Sequence, residues 1–223
     1  MRKVVTAAIG PAPRVYLVTD GQAAGPRELV DVIGHALRAL EGARLPASAL
    51  AVQLREKHLE ARALLDHAQP LRQLTAAVGV RLFINDRIDV ALAAGADGVH
   101  LGGRSVTPED VHVVAPHLQI AISAHHVGEV ARAARRGLAS FVVFGPVFDT
   151  PSKRTFGPPQ GLDRLREACA HPIPVLAIGG IDIAKVKACR GAGTSGIACI
   201  RAVLRNSDPE QALRRFFEAI EST

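Results

Sequence analysis

The sequence predicts an α/β protein of the (β/α)8 TIM-barrel class, a single domain over residues 1–223, and three observations carry that prediction. Eight short apolar, β-rich runs recur along the chain. Segments with apolar residues three and four apart separate them, and the runs tend to break into glycine or polar residues at their C-terminal ends. Each parallel crossover needs a helix to bring the chain back, so eight β-then-α units in 223 residues fit a compact closed barrel. A doubly wound open sheet is the alternative that the same alternation allows.

The strands are expected at RVYLVT (14–19), LAVQLR (50–55), RLFIN (81–85), DGVHL (97–101), QIAIS (119–123), SFVVF (140–144), PVLAI (174–178) and GIACI (196–200). Between the first two, PRELVDVIGHALRALEG has the period of an amphipathic helix lying on a sheet. Pro70 falls inside the long segment 58–78 and predicts a break or kink there, because proline removes a helical hydrogen bond. Thr107-Pro108-Glu109-Asp110 marks a helix entry, with Thr at the N-cap, Pro at the first helical position and an acid at the third. Residues 145–161, GPVFDTPSKRTFGPPQG, are long for a connection inside a compact domain, and such loops are usually functional.

Composition narrows the function classes. Aromatics are scarce, with no Trp and one Tyr, while 48% of residues are hydrophobic. That suits helices packed on a buried parallel sheet and gives no stacking surface for nucleic-acid bases. The formal charge of +6 admits an anionic small molecule, and no DNA- or RNA-binding motif is present, so no nucleic-acid partner is expected. Cys169, Cys189 and Cys199 show neither C-x-x-C spacing nor a histidine at metal spacing, which points to free thiols and a reducing cytoplasm. Gly10, Pro11 and Pro13 stop the first apolar run too early for a signal peptide, and no segment has the length to span a bilayer. A soluble, cytoplasmic protein with no membrane partner is the expectation.

In a barrel of this class the chemistry sits at the C-terminal ends of the strands. Strand two exits through Gln53, Leu54, Arg55, Glu56 and Lys57, and strand alternation sends Gln53, Arg55 and Lys57 to one side and Leu54 and Glu56 to the other. Three donors aimed at the mouth are what a phosphate or pyrophosphate needs. Strand three exits through Asn85 and Asp86, suited to an anion and a divalent cation; alternatively Asp86 caps the helix IDVALAAG. Strand five ends Ser123-Ala124-His125-His126. Adjacent histidines cannot face the same way, so one at most enters the site, as a proton carrier near neutral pH. The long loop carries Thr150, Ser152, Lys153 and Arg154 among prolines that lower the entropy cost of ordering it over an anion. Strand seven ends in Gly179-Gly180 and strand eight follows GAGTSG, the corner where such barrels bind phosphate on backbone N–H groups.

YLVTD, VQLREK, FINDRIDVALAAGADGVHLG, GPVFDTPSK and VLAIGGI, in this order and over about residues 14 to 204, resemble the superfamily that contains thiamine-phosphate synthase and the thiazole tautomerase TenI. The resemblance implies a (β/α)8 barrel handling a thiazole phosphate of thiamine biosynthesis. It implies that Gln53, Arg55, Lys57, Asn85, Ser123 and Lys153 contact a pyrimidine pyrophosphate, that Thr150 and Ser152 meet the thiazole phosphate, and that Gly179 and Gly180 lie in its phosphate cradle. It also implies Mg²⁺ held by two aspartates in the synthase branch. Asp86 matches the first; in the pattern H-x-G-Q-x-D the second falls on Ser105 and the Gln on Gly103.

Loss of that carboxylate should weaken the cation that neutralises departing pyrophosphate. Glu109 and Asp110 could substitute, although capping accounts for them more simply. The tautomerase branch shifts a proton, needs no cofactor, and is implied to use a histidine two positions after the strand-five serine, which here is His125. The leading expectation is therefore a thiazole tautomerase with His125 as general acid/base. A thiamine-phosphate synthase requiring Mg²⁺ is the alternative, and a non-catalytic barrel holding a thiamine-related ligand is a third.

Overall fold

The computed structural model describes residues 11–24, 28–44, 46–150 and 158–222. Its strands are β1 Val15–Val18, β2 Leu50–Leu54, β3 Arg81–Asn85, β4 Gly98–Leu101, β5 Gln119–Ala124, β6 Phe141–Phe144, β7 Val175–Ala177 and β8 Gly196–Cys199. They close in sequence order into one all-parallel barrel, β8 pairing back onto β1 through Tyr16 and Ala198. The closed barrel excludes the open-sheet alternative. All eight strands fall where the apolar runs predict them, with ends differing by a residue or so.

Helices return the chain after each strand. They are α1 Gly21–Ala24, α2 Leu29–Leu37, α3 Ala61–Ala77, α4 Ile88–Ala94, α5 Pro108–Val114, α6 Val127–Arg136, α7 Gly161–Cys169, α8 Ile183–Gly191, α9 Arg201–Leu204 and α10 Pro209–Glu221. The α5 entry is the capping box its sequence signals: the Asp110 amide donates to Thr107 Oγ1 at 3.2 Å and the Thr107 amide to Asp110 Oδ2 at 2.9 Å. Of the break or kink expected at Pro70, the break does not occur, since α3 runs through it as one helix. Proline forfeits a single N–H bond there. The helix is held instead by a buried stripe of Leu64, Ala68, Leu71 and Thr75 and by Arg72, whose guanidinium pairs with Asp97 at 2.8 Å. No helix among the described residues is long and apolar enough to cross a membrane.

Strand alternation divides the core in two. Val15, Leu17, Leu50, Val52, Leu82 and Ile84 face outward into the helix layer. Tyr16, Val18, Ala51, Phe83, Ala121, Phe141, Val143, Leu176 and Ala198 fill the barrel interior. Three rings pack edge to face within it, with centroids 5.7 Å apart for Tyr16–Phe83, 5.2 Å for Tyr16–Phe141 and 5.5 Å for Phe83–Phe141. Rings of that size fit because small residues oppose them. Gly98 pairs with Phe83, and a Cβ at Gly98 would lie 2.5 Å from both the Phe83 ring and the Gln119 carbonyl oxygen.

Gly98→Ala is therefore an overpacking change at a site with a backbone wall. We expect it to cost about 1–3 kcal/mol, read as a lower urea midpoint at unchanged slope, while Gly128→Ala, where a Cβ meets nothing within 4 Å, is expected to be tolerated.

Candidate active site

One cavity of about 560 Å³ opens at the C-terminal end of the barrel. The inward phase of each strand builds it. Above Tyr16, Ala51 and Phe83 come Gln53, Asn85, His100 and Ser123, and beyond these the β2 exit projects Arg55 and Lys57 into the same space. Glu56 takes the opposite phase, as alternation requires. It is 7% exposed, and its carboxylate accepts the Thr19 hydroxyl at 2.7 Å and the Gly21 amide at 2.9 and 3.1 Å, tying the β1 and β2 exits together. Thr19 Oγ1 in turn accepts the Arg55 amide at 2.8 Å, so the knot fixes the backbone from which Arg55 projects.

A polar chain crosses the mouth from β2 to β4. Gln53 Nε2 donates to Asn85 Oδ1 at 3.0 Å, and Asn85 Nδ2 donates to Asp86 Oδ2 at 2.7 Å. Ser105 Oγ donates to Asp86 Oδ1 and accepts the Gly102 amide at 2.6 Å. Asp86 does not cap α4, whose N-cap is Arg87; it sits at φ 61°, a left-handed conformation that is uncommon outside glycine. Glu109 and Asp110 play no part here, because Glu109 pairs with Arg136 and Asp110 closes the α5 cap.

Among the described residues Arg55 and Lys57 have no ion-pair partner, and Arg201, at the start of α9, adds a third cation to the lining. Burial, then the neighbouring charges of Arg55 and Arg104, push the Lys57 ammonium below the ordinary lysine range, against an opposing pull from Asp86. Across the cavity Gly179 and Gly180 turn at φ 101° and 64°. A Cβ would lie 2.6 Å from Pro146 at the first and 2.6 Å from the Asp149 carbonyl at the second, so only glycine lets this backbone stand against the loop after β6.

Of the histidine pair, His125 alone lines the cavity, and His126 is the N-cap residue of α6. His125 Nδ1 lies 2.6 Å from the Gly145 carbonyl oxygen. A carbonyl only accepts, so Nδ1 carries the proton and Nε2 of the neutral ring is left as a base. Thr150 also lines the cavity, whereas Ser152, Lys153 and Arg154 lie outside the described residues. The three thiols are free, and burial pushes Cys199, the one nearest the cavity, up to about 12, which removes it as a nucleophile.

The sequence reading missed His100, Asp20 and Arg201, which also line the cavity. The signal for His100 was present, since it occupies the inward phase of β4 beside Asn85. Arg201 follows β8 as Arg55 follows β2.

Among the described residues no three His, Cys, Asp or Glu side chains gather into a metal cluster. One exposed carboxylate, Asp86, with the Ser105 hydroxyl against it, fits a cation that takes its remaining ligands from water and substrate phosphate.

The family model for thiamine monophosphate synthase matches residues 15–203. The chain belongs to that family. It is 44% identical over 202 residues to a thiamine-phosphate synthase of Roseiflexus castenholzii, covering 90% of this chain and 85% of that one. It is 38% identical to a thiamine-phosphate synthase of Chloroflexus aurantiacus, covering 94% of each. A solved thiamine phosphate pyrophosphorylase from Pyrococcus furiosus superposes with a TM-score of 0.81 at 33% identity, covering 94% of this chain and 96% of that one.

The Lys57 shift yields a pH prediction. An anion beside Lys57 favours its charged form, so affinity is full below the free-protein pKa of Lys57 and falls as pH rises from there through the higher pKa of the complex, starting earlier than for an unshifted lysine. Titration calorimetry with inorganic pyrophosphate at rising alkaline pH should show the wild type losing affinity relative to Lys57→Arg, the ligand's own ionisation being common to both. Lys57→Ala should weaken binding roughly tenfold at neutral pH, the order of one charge-assisted contact.

Proposed function

We propose that this protein is a thiamine-phosphate synthase, joining a pyrimidine diphosphate to a thiazole phosphate with release of pyrophosphate. The observation that carries the reading is that one cavity has two separate walls whose groups suit anions. Arg55 and Lys57 stand at the β2 exit, and the Gly179-Gly180 turn stands at the β7 exit, three strands away around the barrel. A reaction between two phosphorylated substrates needs both walls. A proton shift on one phosphorylated substrate needs only one. The names of the relatives at 38–44% identity support the same reading.

In this reading Arg55 and Lys57, with Lys153, hold the diphosphate, and Gln53, Asn85 and Ser123 position the pyrimidine end. Gly179 and Gly180 present their backbone N–H groups to the thiazole phosphate, with Thr150 and Ser152 adding hydroxyls. The thiazole nitrogen forms a bond to the pyrimidine methylene carbon as the carbon–oxygen bond to the diphosphate breaks. The electron pair leaves on pyrophosphate, and the fixed cations meet the charge that develops there. Holding both reactants on one rigid barrel converts a bimolecular encounter into a local one. Asp86 and Ser105 would hold Mg²⁺, which when bound adds further neutralisation of the diphosphate. The reduced thiols accord with a cytoplasmic setting.

The geometry of His125 favours one second reading, the thiazole tautomerase, because its Nε2 is a free base lining the same cavity. One experiment separates the two. Purified protein with Mg²⁺, pyrimidine diphosphate and thiazole phosphate should form thiamine phosphate, and Arg55→Ala with Lys57→Ala should lower kcat/KM by about 100-fold or more, two charge-assisted contacts at the transition state. No product above the uncatalysed reaction, together with tautomerisation of a carboxythiazole phosphate that His125→Ala abolishes, would give the site to the second reading.

Gly180→Ala should raise KM for the thiazole phosphate and leave KM for the diphosphate nearly unchanged, since the added Cβ collides with the Asp149 carbonyl and disturbs one wall only.

A further inference from the structure

Beneath the cation wall lies a hydrogen-bonded line of which the proposed chemistry uses only the last member, Ser123. Tyr16 Oη is 3.2 Å from His100 Nδ1, and His100 Nε2 is 2.8 Å from Ser123 Oγ. The phenol is fully buried, its ring stacks on the imidazole at 5.7 Å and 16°, and His100 is 4% exposed. Ser123 ends the line at the cavity.

Proton counting orients every member. Burial raises the phenol well above its ordinary pKa, so Tyr16 keeps its hydrogen, and among the described residues the ring nitrogens of His100 meet two hydroxyls and no carboxylate that would hold a second ring proton. A neutral imidazole has one N–H and one lone pair. Among the described residues the Tyr16 hydroxyl has a single hydrogen-bond partner, His100 Nδ1. If Nδ1 carried the proton, the phenol would accept it and its own hydrogen would be left without an acceptor inside a dry, aromatic-lined barrel. Tyr16 therefore donates to Nδ1, the imidazole proton sits on Nε2, and Nε2–H donates to Ser123 Oγ. With an incoming bond already on its oxygen, the serine turns its own hydrogen toward the cavity.

We infer that His100 is a positioning residue that fixes the Ser123 hydroxyl as a hydrogen-bond donor, so that the substrate atom seated against Ser123 is a proton-free acceptor, a phosphate oxygen or an aromatic ring nitrogen. The barrel thus carries a selectivity element. A ligand that offers only an N–H or O–H at that point can use the serine's one remaining lone pair, but it leaves the Ser123 hydrogen without an acceptor and is disfavoured. The inference concerns the site of the proposed synthase reaction, but its first test needs no substrate.

That test is NMR of histidine-labelled free protein from about pH 5 to about pH 8, which reads the proton on each ring nitrogen through its one-bond coupling. His100 should carry its proton on Nε2. A proton on Nδ1 would overturn the inference whatever reaction the protein catalyses.

The second test rests on the synthase reading. Ser123→Ala should raise KM for the pyrimidine diphosphate about tenfold with a smaller change in kcat. His100→Phe should do the same, His100→Gln should restore part of the loss by again offering an N–H, and His100→Phe should add nothing once Ser123 is alanine. Additive losses, or equal behaviour of the Phe and Gln variants at matched melting temperature, would mean that His100 acts only by filling space. If the His100 variants do not fold, the wild-type spectrum decides alone.

Discussion

The period of two along a closed barrel's strands is the constraint on which the rest of this molecule depends. A strand in a barrel has only two places to send a side chain, the interior or the helix layer, and consecutive residues take them in turn. Once Tyr16, Ala51, Phe83 and Ala121 are committed to the interior by packing, the residues two further on have no choice. Gln53, Asn85 and Ser123 must form the next layer, and Arg55 and Lys57 must rise above it. A slip of one residue in β2 would place Glu56 in the cavity and leave two cations facing apolar helices. The cost of desolvating those charges without partners is far larger than any local preference could offset.

The same constraint separates neutral from charged chemistry by height. Where the barrel is dry, its polar groups are amides, hydroxyls and an imidazole held uncharged, each with a partner: Gln53 with Asn85, Tyr16 with His100, His100 with Ser123. Unpaired cations begin where solvent and substrate can reach them, at Arg55 and Lys57. Glu56 shows the rule from the other side. It is a buried carboxylate, and it is tolerated outside the barrel because a hydroxyl and a backbone amide meet its oxygens.

Most of this order was legible in the residues. The eight strands, the capping box at Thr107 and the common side of Gln53, Arg55 and Lys57 follow from periodicity, which the closed barrel enforces. Pro70 does not end the helix, because a buried stripe of four side chains with an Arg72–Asp97 pair outweighs the lost hydrogen bond and the crowding of the proline ring. His100 was passed over as a site residue because its importance depends on the partners above and below it, Ser123 and Tyr16, which lie 23 and 84 residues away in the chain. Ser105 in place of a carboxylate, together with His125, favoured the tautomerase in the sequence, whereas the facing of the β2 and β7 exits around one cavity is visible only in the folded chain.

The Asp86–Ser105 pair shows how such a site can lack a second carboxylate and still suit a diphosphate. Two aspartates beside a phosphorylated substrate repel it until a cation arrives, so they make the cation obligatory. With a hydroxyl as the second oxygen, the local balance shifts toward Arg55, Lys57, Arg104 and Arg201, and part of the neutralisation passes to fixed guanidinium and ammonium groups. Fixed cations need no recruitment from solution, but they cannot leave with the product. In the proposed synthase reaction the price of that arrangement is slower release of pyrophosphate, because the groups that would stabilise the departing charge are the ones that would then retain it. The lowered pKa of Lys57 bears on the same balance, since burial first, and then repulsion from Arg55 and Arg104, disfavours an ammonium that an anion bound among them would stabilise.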